Sequence, residues 1–330
     1  MPLGHVCTAK QKQKRSKMLK FSLRRLGTGV ALLFTVCTLA YFLLYVDTNT
    51  IAAGILGASA TKTDIAHFNA THGLNQNFFE SYWGWLTNAV AGNFGAAWTF
   101  PDPVSTMIGQ RLTVTLTLVV TSLVIVAVVS LTLGVLAAVK GGWIDRLVQV
   151  LGLVGFAIPN FLVAFALVAQ FAVVHHWFNA VGWTPPSQSF PDFLKSATLP
   201  ISAIAFTGLA SLTQQIRGAV KDTLQNDYVR TLRTSGLSFR RVILKHVLRN
   251  SAGPALSVLG LQFVGMLGGI VIIEQIFSIP GLGSFSVQAT GLKDIPAVMG
   301  VVTTMALIVI SVNFVIDLLS AALNPKVRLA

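Results

Sequence analysis

Charge is what this sequence has least of. Asp, Glu, Lys and Arg make up 11% of its 330 residues, whereas 53% are hydrophobic and the mean hydropathy is +0.70. So few polar side chains cannot cover a soluble domain of this size, which excludes a soluble enzyme or binding module and leaves an integral membrane protein. Cysteine is nearly absent: Cys7 lies in a basic leader and Cys37 in an apolar run, so neither a disulfide nor a metal site follows. The sequence contains no G-x-x-x-x-G-K-[ST] phosphate loop, no H-E-x-x-H helix and no G-x-S-x-G elbow. The chain therefore does not hydrolyse ATP by the phosphate-loop route, and the commonest enzyme readings lose their residues. His175 and His176 are adjacent, so their side chains diverge and make a poor metal site.

What the sequence has is apolar length. Six runs reach the roughly 20 residues a spanning helix needs: 26–46, 112–139, 147–174, 198–216, 254–274 and 297–321. The fold class is thus an all-α integral membrane protein of about six transmembrane helices, which puts both termini on one side. Of 24 Lys and Arg, 20 fall on one face of this arrangement, in the leader 1–25, the turn 140–146, the loop 217–253 and the tail 322–330. Basic residues flanking membrane segments stay in the cytoplasm, so both termini and the loop 217–253 are expected there, and a basic balance that would suggest nucleic acid in a soluble chain has no such meaning here. The four remaining cations are Lys62, Arg111, Lys195 and Lys293, with Arg111 expected at a helix edge where it can snorkel.

The leader reads as an unstructured topology anchor that touches anionic lipid, and Met18 is a candidate alternative start. Its apolar run is too long for a cleaved signal. Residues 47–110 read as an external cap, with Phe79, Tyr82, Trp83 and Leu86 at the spacing of an amphipathic interfacial helix. Within the spans, Pro159 predicts a kink in the third. Gly265 and Gly269, four apart, permit close helix packing. Glu274 and Asp317 are costly in lipid and are gating or structural candidates, read chiefly as hydrogen-bonded groups near helix ends. A secondary transporter would need such carboxylates near the midplane.

The loop 217–253 contains "NDYVRTLRTSGLSFRRVILKHVLRN", with five arginines, one lysine and one histidine in 25 positions. Gly236 followed by Ser238 reads as a helix stop and the next N-cap. On the second helix Arg241, Lys245 and Arg249 share one sector, and Phe239, Val242, Ile243, Leu244, Val247 and Leu248 fill most of the rest. That pattern predicts a mostly buried helix with one basic stripe and an exposed elbow that meets a protein partner.

This segment, with "GGIVIIEQIFSIPGLGSFSV", "NFVIDLLSAALNPKVR", "HGLNQNFFESYWGWLTNAVAGNFG" and "AIPNFLVAF", resembles the inner-membrane permease subunits of binding-protein-dependent ABC importers, in the dipeptide, oligopeptide and nickel branch. The resemblance runs over nearly the whole chain from Met18. It implies a type I importer transmembrane domain, with a five-helix core at 112–321, in a multi-pass protein of the bacterial inner membrane. The loop is similar to the family's E-A-A loop, which docks on an ATPase subunit. Gly236 takes the place of that loop's glycine, Arg230, Thr231 and Leu232 stand at its Glu-Ala-Ala positions, and Arg249 stands at a later proline; Leu237, Ser238, Arg241 and Lys245 complete the docking segment. Implied partners are a homologous second permease, one or two ABC ATPases, an external solute-binding protein and membrane lipid. ATP and Mg are used by the ATPases, and no cofactor belongs to this chain. The implied solute is a di- or oligopeptide, with nickel or another small solute as the alternative, and no substrate-contacting residue is named.

Overall fold

The computed structural model describes residues 3–323 apart from positions 47 and 58, with side chains over 22–320 apart from 47–49 and 58. Helices are the regular elements among the described residues, beside one isolated bridge between Ala96 and Pro103. In chain order they are α1 (Leu3–Val46), α2 (Thr48–Leu56), α3 (Lys62–Thr71), α4 (Phe78–Val90), α5 (Val104–Lys140), α6 (Gly142–Ala157), α7 (Asn160–Leu167), α8 (Phe190–Leu224), α9 (Asp227–Thr234), α10 (Phe239–Val242), α11 (Leu248–Ile276), α12 (Leu282–Gly291) and α13 (Ile295–Leu323). The tail beyond Leu323 lies outside the described residues, as does the side chain of Cys7.

α8 is the central helix, packed by α5, α6, α7 and α11. Its small residues permit this. Ala197, Ala203, Ala205, Gly208 and Ala210 are buried, and without a hydrophobic drive between helices in lipid, close backbone approach is what holds them. Ser122 and Ser130 of α5, two turns apart, donate to the Ile201 and Leu209 carbonyls of α8 at 3.3 and 3.4 Å. Gly134 of α5 lies under Ile216, so that a Cβ there would stand 2.9 Å from its side chain. Equal spacing on both partners means that α5 and α8 run parallel. α1 packs on α13 at the side of this core, with Gly29 under Ile310.

Among the described residues five helices are long and apolar enough to cross a membrane, and six if the third span is counted as a bent pair. That pair corrects the expected kink, since α6 and α7 meet at 96°. Pro159 has no N–H to continue the ladder and forces Ile158 to an extended backbone (φ −99°, ψ 118°), so the helix ends and restarts instead of bending. The restarted helix finishes in a wide π-helical stretch, Val168–Val174, that leads into His175 and His176. Of the two glycines expected to pack closely, Gly269 seats Asn160, the first residue of α7, whereas Gly265 has nothing within 4 Å of a Cβ.

Other boundaries shift as well. The basic leader, read as unstructured, is helical from Leu3 and continuous with the first span. α5 begins at Val104, so Arg111 lies inside the helix, with its guanidinium over the Phe285 ring at 4.5 Å. The cap holds three short helices. Its α4 is present where the pattern placed it, but Phe79 and Trp83 are exposed while Phe78, Tyr82, Trp85 and Leu86 turn inward onto Tyr41 and Tyr45 of α1.

At this cap end two buried carboxylates organise the turns. Glu274, fully buried, accepts the Thr115 hydroxyl at 2.6 Å and the Ser284 N–H at 2.8 Å, and Thr115 in turn accepts the Leu282 N–H at 2.8 Å. The carboxyl group thereby satisfies amides at the start of α12, an element absent from the sequence reading. Gly281 and Gly283 leave room for it; a Cβ on Gly281 would fall on the Glu274 carboxylate. Because Gly281 has φ −97°, alanine is conformationally allowed there and its cost is purely steric. Gly281→Ala is expected to release α12 and to lower the melting temperature of the purified permease by more than Glu274→Gln does. Asp294, also fully buried, caps α13 through the Ala297 N–H and accepts from the Trp98 and Thr99 amides at 2.7 and 2.8 Å, pinning the cap to the last span.

Candidate functional site: a basic elbow and its clamp

At the opposite end α9 stops in a glycine-based reversal. The Leu237 N–H reaches the Leu232 carbonyl and the Gly236 N–H reaches the Arg233 carbonyl, with Gly236 at φ +81°. That is the Schellman arrangement, which needs a left-handed residue and brings an apolar pair together beneath it. Here the pair is Leu232 and Leu237, both packed on the main core with Val229. Ser238 sits at the N-cap by backbone geometry and takes the Val242 N–H on its carbonyl, but its hydroxyl makes no capping bond.

The second helix differs from its reading in two ways. It does not end before Pro254; through a π-helical turn at Ile243–Val247 it becomes α11, giving one 38-residue rod from Phe239 to Ile276. Its apolar face is also narrower than expected. Val242, Ile243 and Val247 are buried, whereas Leu244 is 70% and Phe239 39% exposed. The basic stripe is as read: Arg241, Lys245 and Arg249 are exposed, joined by Arg230, Arg233 and Arg240 on the turn. Arg233 lies over the Phe239 ring at 5.1 Å and Asn250 donates to the Tyr228 hydroxyl at 2.7 Å, so both sides of the elbow are braced. The result is a stiff, cationic knob with two uncovered apolar side chains, mounted directly on a spanning rod.

Beneath the elbow lies a feature the sequence reading missed. Asp145, in the first turn of α6, receives both the Nε–H and an Nη2–H (2.9 Å) of Arg217, together with Lys221 Nζ at 3.2 Å and Gln149 Nε2 at 3.2 Å. Arg217 and Lys221 sit on the last turns of α8 that feed α9. Farther along the same helix pair, Gln214 donates to the Val148 carbonyl at 3.0 Å, Gly152 accommodates the Gln214 side chain, and Gly155 rests on Ala210. A bidentate carboxylate clamp and a small-residue seam therefore join α6 to the elbow's parent helix. The signal in sequence was an acid just after the Gly141-Gly142 break, one of only 11 in the chain.

The structure brings Arg230, Thr231, Leu232, Gly236, Leu237, Ser238, Arg241, Lys245 and Arg249 together on this one elbow. The three gating or structural candidates stand apart. Pro159 makes the break in the third span, Glu274 holds α12 at the cap end, and Asp317 pairs with Arg25 at 3.0 Å where α13 meets α1. Among the described residues there is no group of three His, Cys, Asp or Glu able to hold a metal ion.

Long apolar helices around a small-residue core, a broken span and an exposed basic knob on a continuous rod make this a multi-pass α-helical fold of membrane type. The family described as binding-protein-dependent transport system inner membrane component matches residues 130–329, and the corresponding N-terminal family matches residues 18–121. The chain belongs to this family of inner-membrane permease components of ABC importers, in which ATP is hydrolysed on separate subunits. It is 32% identical over 312 residues to the glutathione transport system permease protein GsiC of Escherichia coli, covering 94% of this chain and 99% of that one. It is 29% identical over 309 residues to the probable peptide ABC transporter permease protein y4tP of Sinorhizobium fredii, covering 93% and 99%. Its fold is similar to that of a chain of the inward-facing MetNI methionine ABC transporter, with a TM-score of 0.56 at 15% identity over 68% of this chain and 100% of that one.

Proposed function

We propose that this permease, paired with a homologous second permease, forms the membrane pathway for short peptides delivered by an external binding protein, and that its basic elbow docks on an ATPase subunit. The observation that carries the reading is the elbow. Its apolar side is locked into the core, its cations face outward, and it is continuous with the rod Phe239–Ile276, so a push on it has no loop to be absorbed in. Closure of the ATPases around ATP and Mg would then displace the rod and, through the Asp145 clamp, α6. No cofactor of its own is required for this. The relatives' names, one a peptide and one a glutathione permease, favour a peptide as solute over nickel.

The charge split of 20 against 4 supports the orientation: elbow and termini in the cytoplasm, cap outside. Single cysteines placed after Asn75 and after Ser235, in a chain with Cys7 and Cys37 replaced by Ser, test it with a membrane-impermeant thiol reagent. Labelling of the first alone in intact cells is expected, and labelling of both from one side contradicts the orientation. A deletion strain without redundant importers is expected to lose uptake of short peptides. Unchanged peptide uptake with lost nickel uptake would transfer the assignment to the metal.

A further inference from the structure

An open groove of about 280 Å³ lies at the root of the elbow, walled by Ala127 and Leu131 of α5, Ile216 and Val220 of α8, and Ala252 and Ala255 of α11. The one polar side chain among the described residues lining it is Ser251, and that hydroxyl is already engaged. It meets the Thr223 hydroxyl at 3.0 Å and the Ala219 and Val247 carbonyls at 3.1 and 3.0 Å. A water in the groove would find no free partner, and an empty groove leaves its walls without contacts. What fills it is apolar.

Two features of the surroundings identify the occupant. The first is where the groove opens. Val120, Val124 and Val128 share with Leu131 an exposed aliphatic face of α5 that suits lipid. The exposed small and polar residues of α11, Ser257, Gly265, Gly268 and Gln275, lie on the opposite side of that helix, about 160° from its groove-lining residues at 100° per residue. A Cβ on Gly265 or Gly268 would meet nothing within 4 Å, so that side, and not the groove, is shaped for close approach of a second helix. The groove therefore opens toward the bilayer. The second feature is charge at its elbow end. Arg249, exposed, precedes Ala252 by three residues and Leu256 by seven, which puts it on their side of α11 at the rim, with Lys245 one turn farther. The apolar run of this span begins at 254, so Arg249 sits about 8 Å outside it, at the level of lipid headgroups.

We propose that this groove holds one acyl chain of an anionic phospholipid, whose phosphate is bound by Arg249 and Lys245. A zwitterionic lipid offers the same chain, but its own cation offsets the phosphate, so the basic rim selects the anionic one. The chain wedges between α5, α8 and the rod Phe239–Ile276 and so braces the root of the elbow. The site follows from the groove and its cations; only its place in the inner leaflet rests on the proposed orientation.

The test titrates the intact importer complex, purified in detergent, with phosphatidylglycerol or phosphatidylcholine of identical acyl chains and counts retained lipid by native mass spectrometry. The wild type is expected to bind phosphatidylglycerol at least about fivefold more tightly, the worth of one cation near a headgroup. Arg249→Gln is expected to remove most of that preference. Ala252→Leu and Ala255→Phe, which grow into the groove, are each expected to retain one phosphatidylglycerol fewer than the wild type, with the second permease and the ATPases still attached. Glycerol 3-phosphate, a headgroup without a chain, is expected not to displace the lipid. Equal binding of the two lipids, an undiminished preference in Arg249→Gln, displacement by glycerol 3-phosphate or an unchanged lipid count in an assembled groove variant overturns the proposal. Loss of the second permease from both groove variants at an unchanged melting temperature assigns the groove to that subunit and overturns it as well. Should the groove variants fail to fold, the wild-type comparison and Arg249→Gln still decide.

Discussion

Gly236→Val is expected to leave the permease in the membrane at normal abundance while transport and binding-protein-stimulated ATP hydrolysis collapse. The residue has φ +81°, where a β-branched side chain is strained by about 1–3 kcal/mol. Nothing lies within 4 Å of a Cβ built there, so the side chain meets no clash and the strain is relieved by reshaping the turn. Because each 1.4 kcal/mol is a factor of ten, ATPase capture should weaken by about five- to 150-fold if the whole strain opposes docking. The substitution series carries the diagnosis. Asn, which tolerates the left-handed region, should retain most activity, Ala less and Val least. A Val variant that disappears from the membrane would mean that the turn holds the fold together, and one that transports normally would mean that its shape is irrelevant to coupling.

The second large effect is expected at the clamp. Asp145→Ala leaves Arg217, whose side chain is 16% exposed, and Lys221 facing each other's charge without the carboxylate between them. Breaking a buried pair by removing one partner costs about 3–5 kcal/mol, and the partial hydration of these cations lowers the expectation to about 2–4 kcal/mol. Thermal unfolding of the purified permease should show this as a lowered melting temperature, together with weakened coupling of ATP hydrolysis to transport. Asp145→Leu combined with Arg217→Met should recover much of the stability, because an ion pair replaced as a unit leaves no orphan charge. A double-mutant cycle with no interaction energy between the two positions would contradict the clamp.

What could be read from the sequence was local. The apolar lengths located five spans and the broken one, since span length is set by the bilayer and needs no knowledge of neighbours. Gly236 and Ser238 marked the elbow because a helix stop and a start are written in adjacent residues. The proline at 159 announced an interruption, but its angle depends on how α7 seats Asn160 against Gly269, a contact with a distant helix. The missed groups share that property. Asp145 meets Arg217 across 72 residues, and Asp294 meets the Thr99 amide across 195. Glu274 was correctly read as a hydrogen-bonded carboxyl near a helix end, yet its partners Thr115 and Ser284 are visible only once α12 is folded back. Leu244 was misjudged for a related reason: periodicity gives the period of a face but not which neighbours cover it. It is exposed, on the elbow itself.

Leu244, 70% exposed between the cations of the elbow, offers the most direct test of coupling through this segment. A Leu244→Cys permease without its native cysteines, assembled with its partners and treated with a short thiol-to-amine cross-linker, is expected to join to the ATPase subunit, and the yield is expected to change when ATP is bound. Phe79→Cys in the cap serves as the control. Cross-linking of the ATPase from position 244 and not from position 79 is the expected result; an ATPase captured from the cap, or never captured from the elbow of an actively transporting complex, would contradict it.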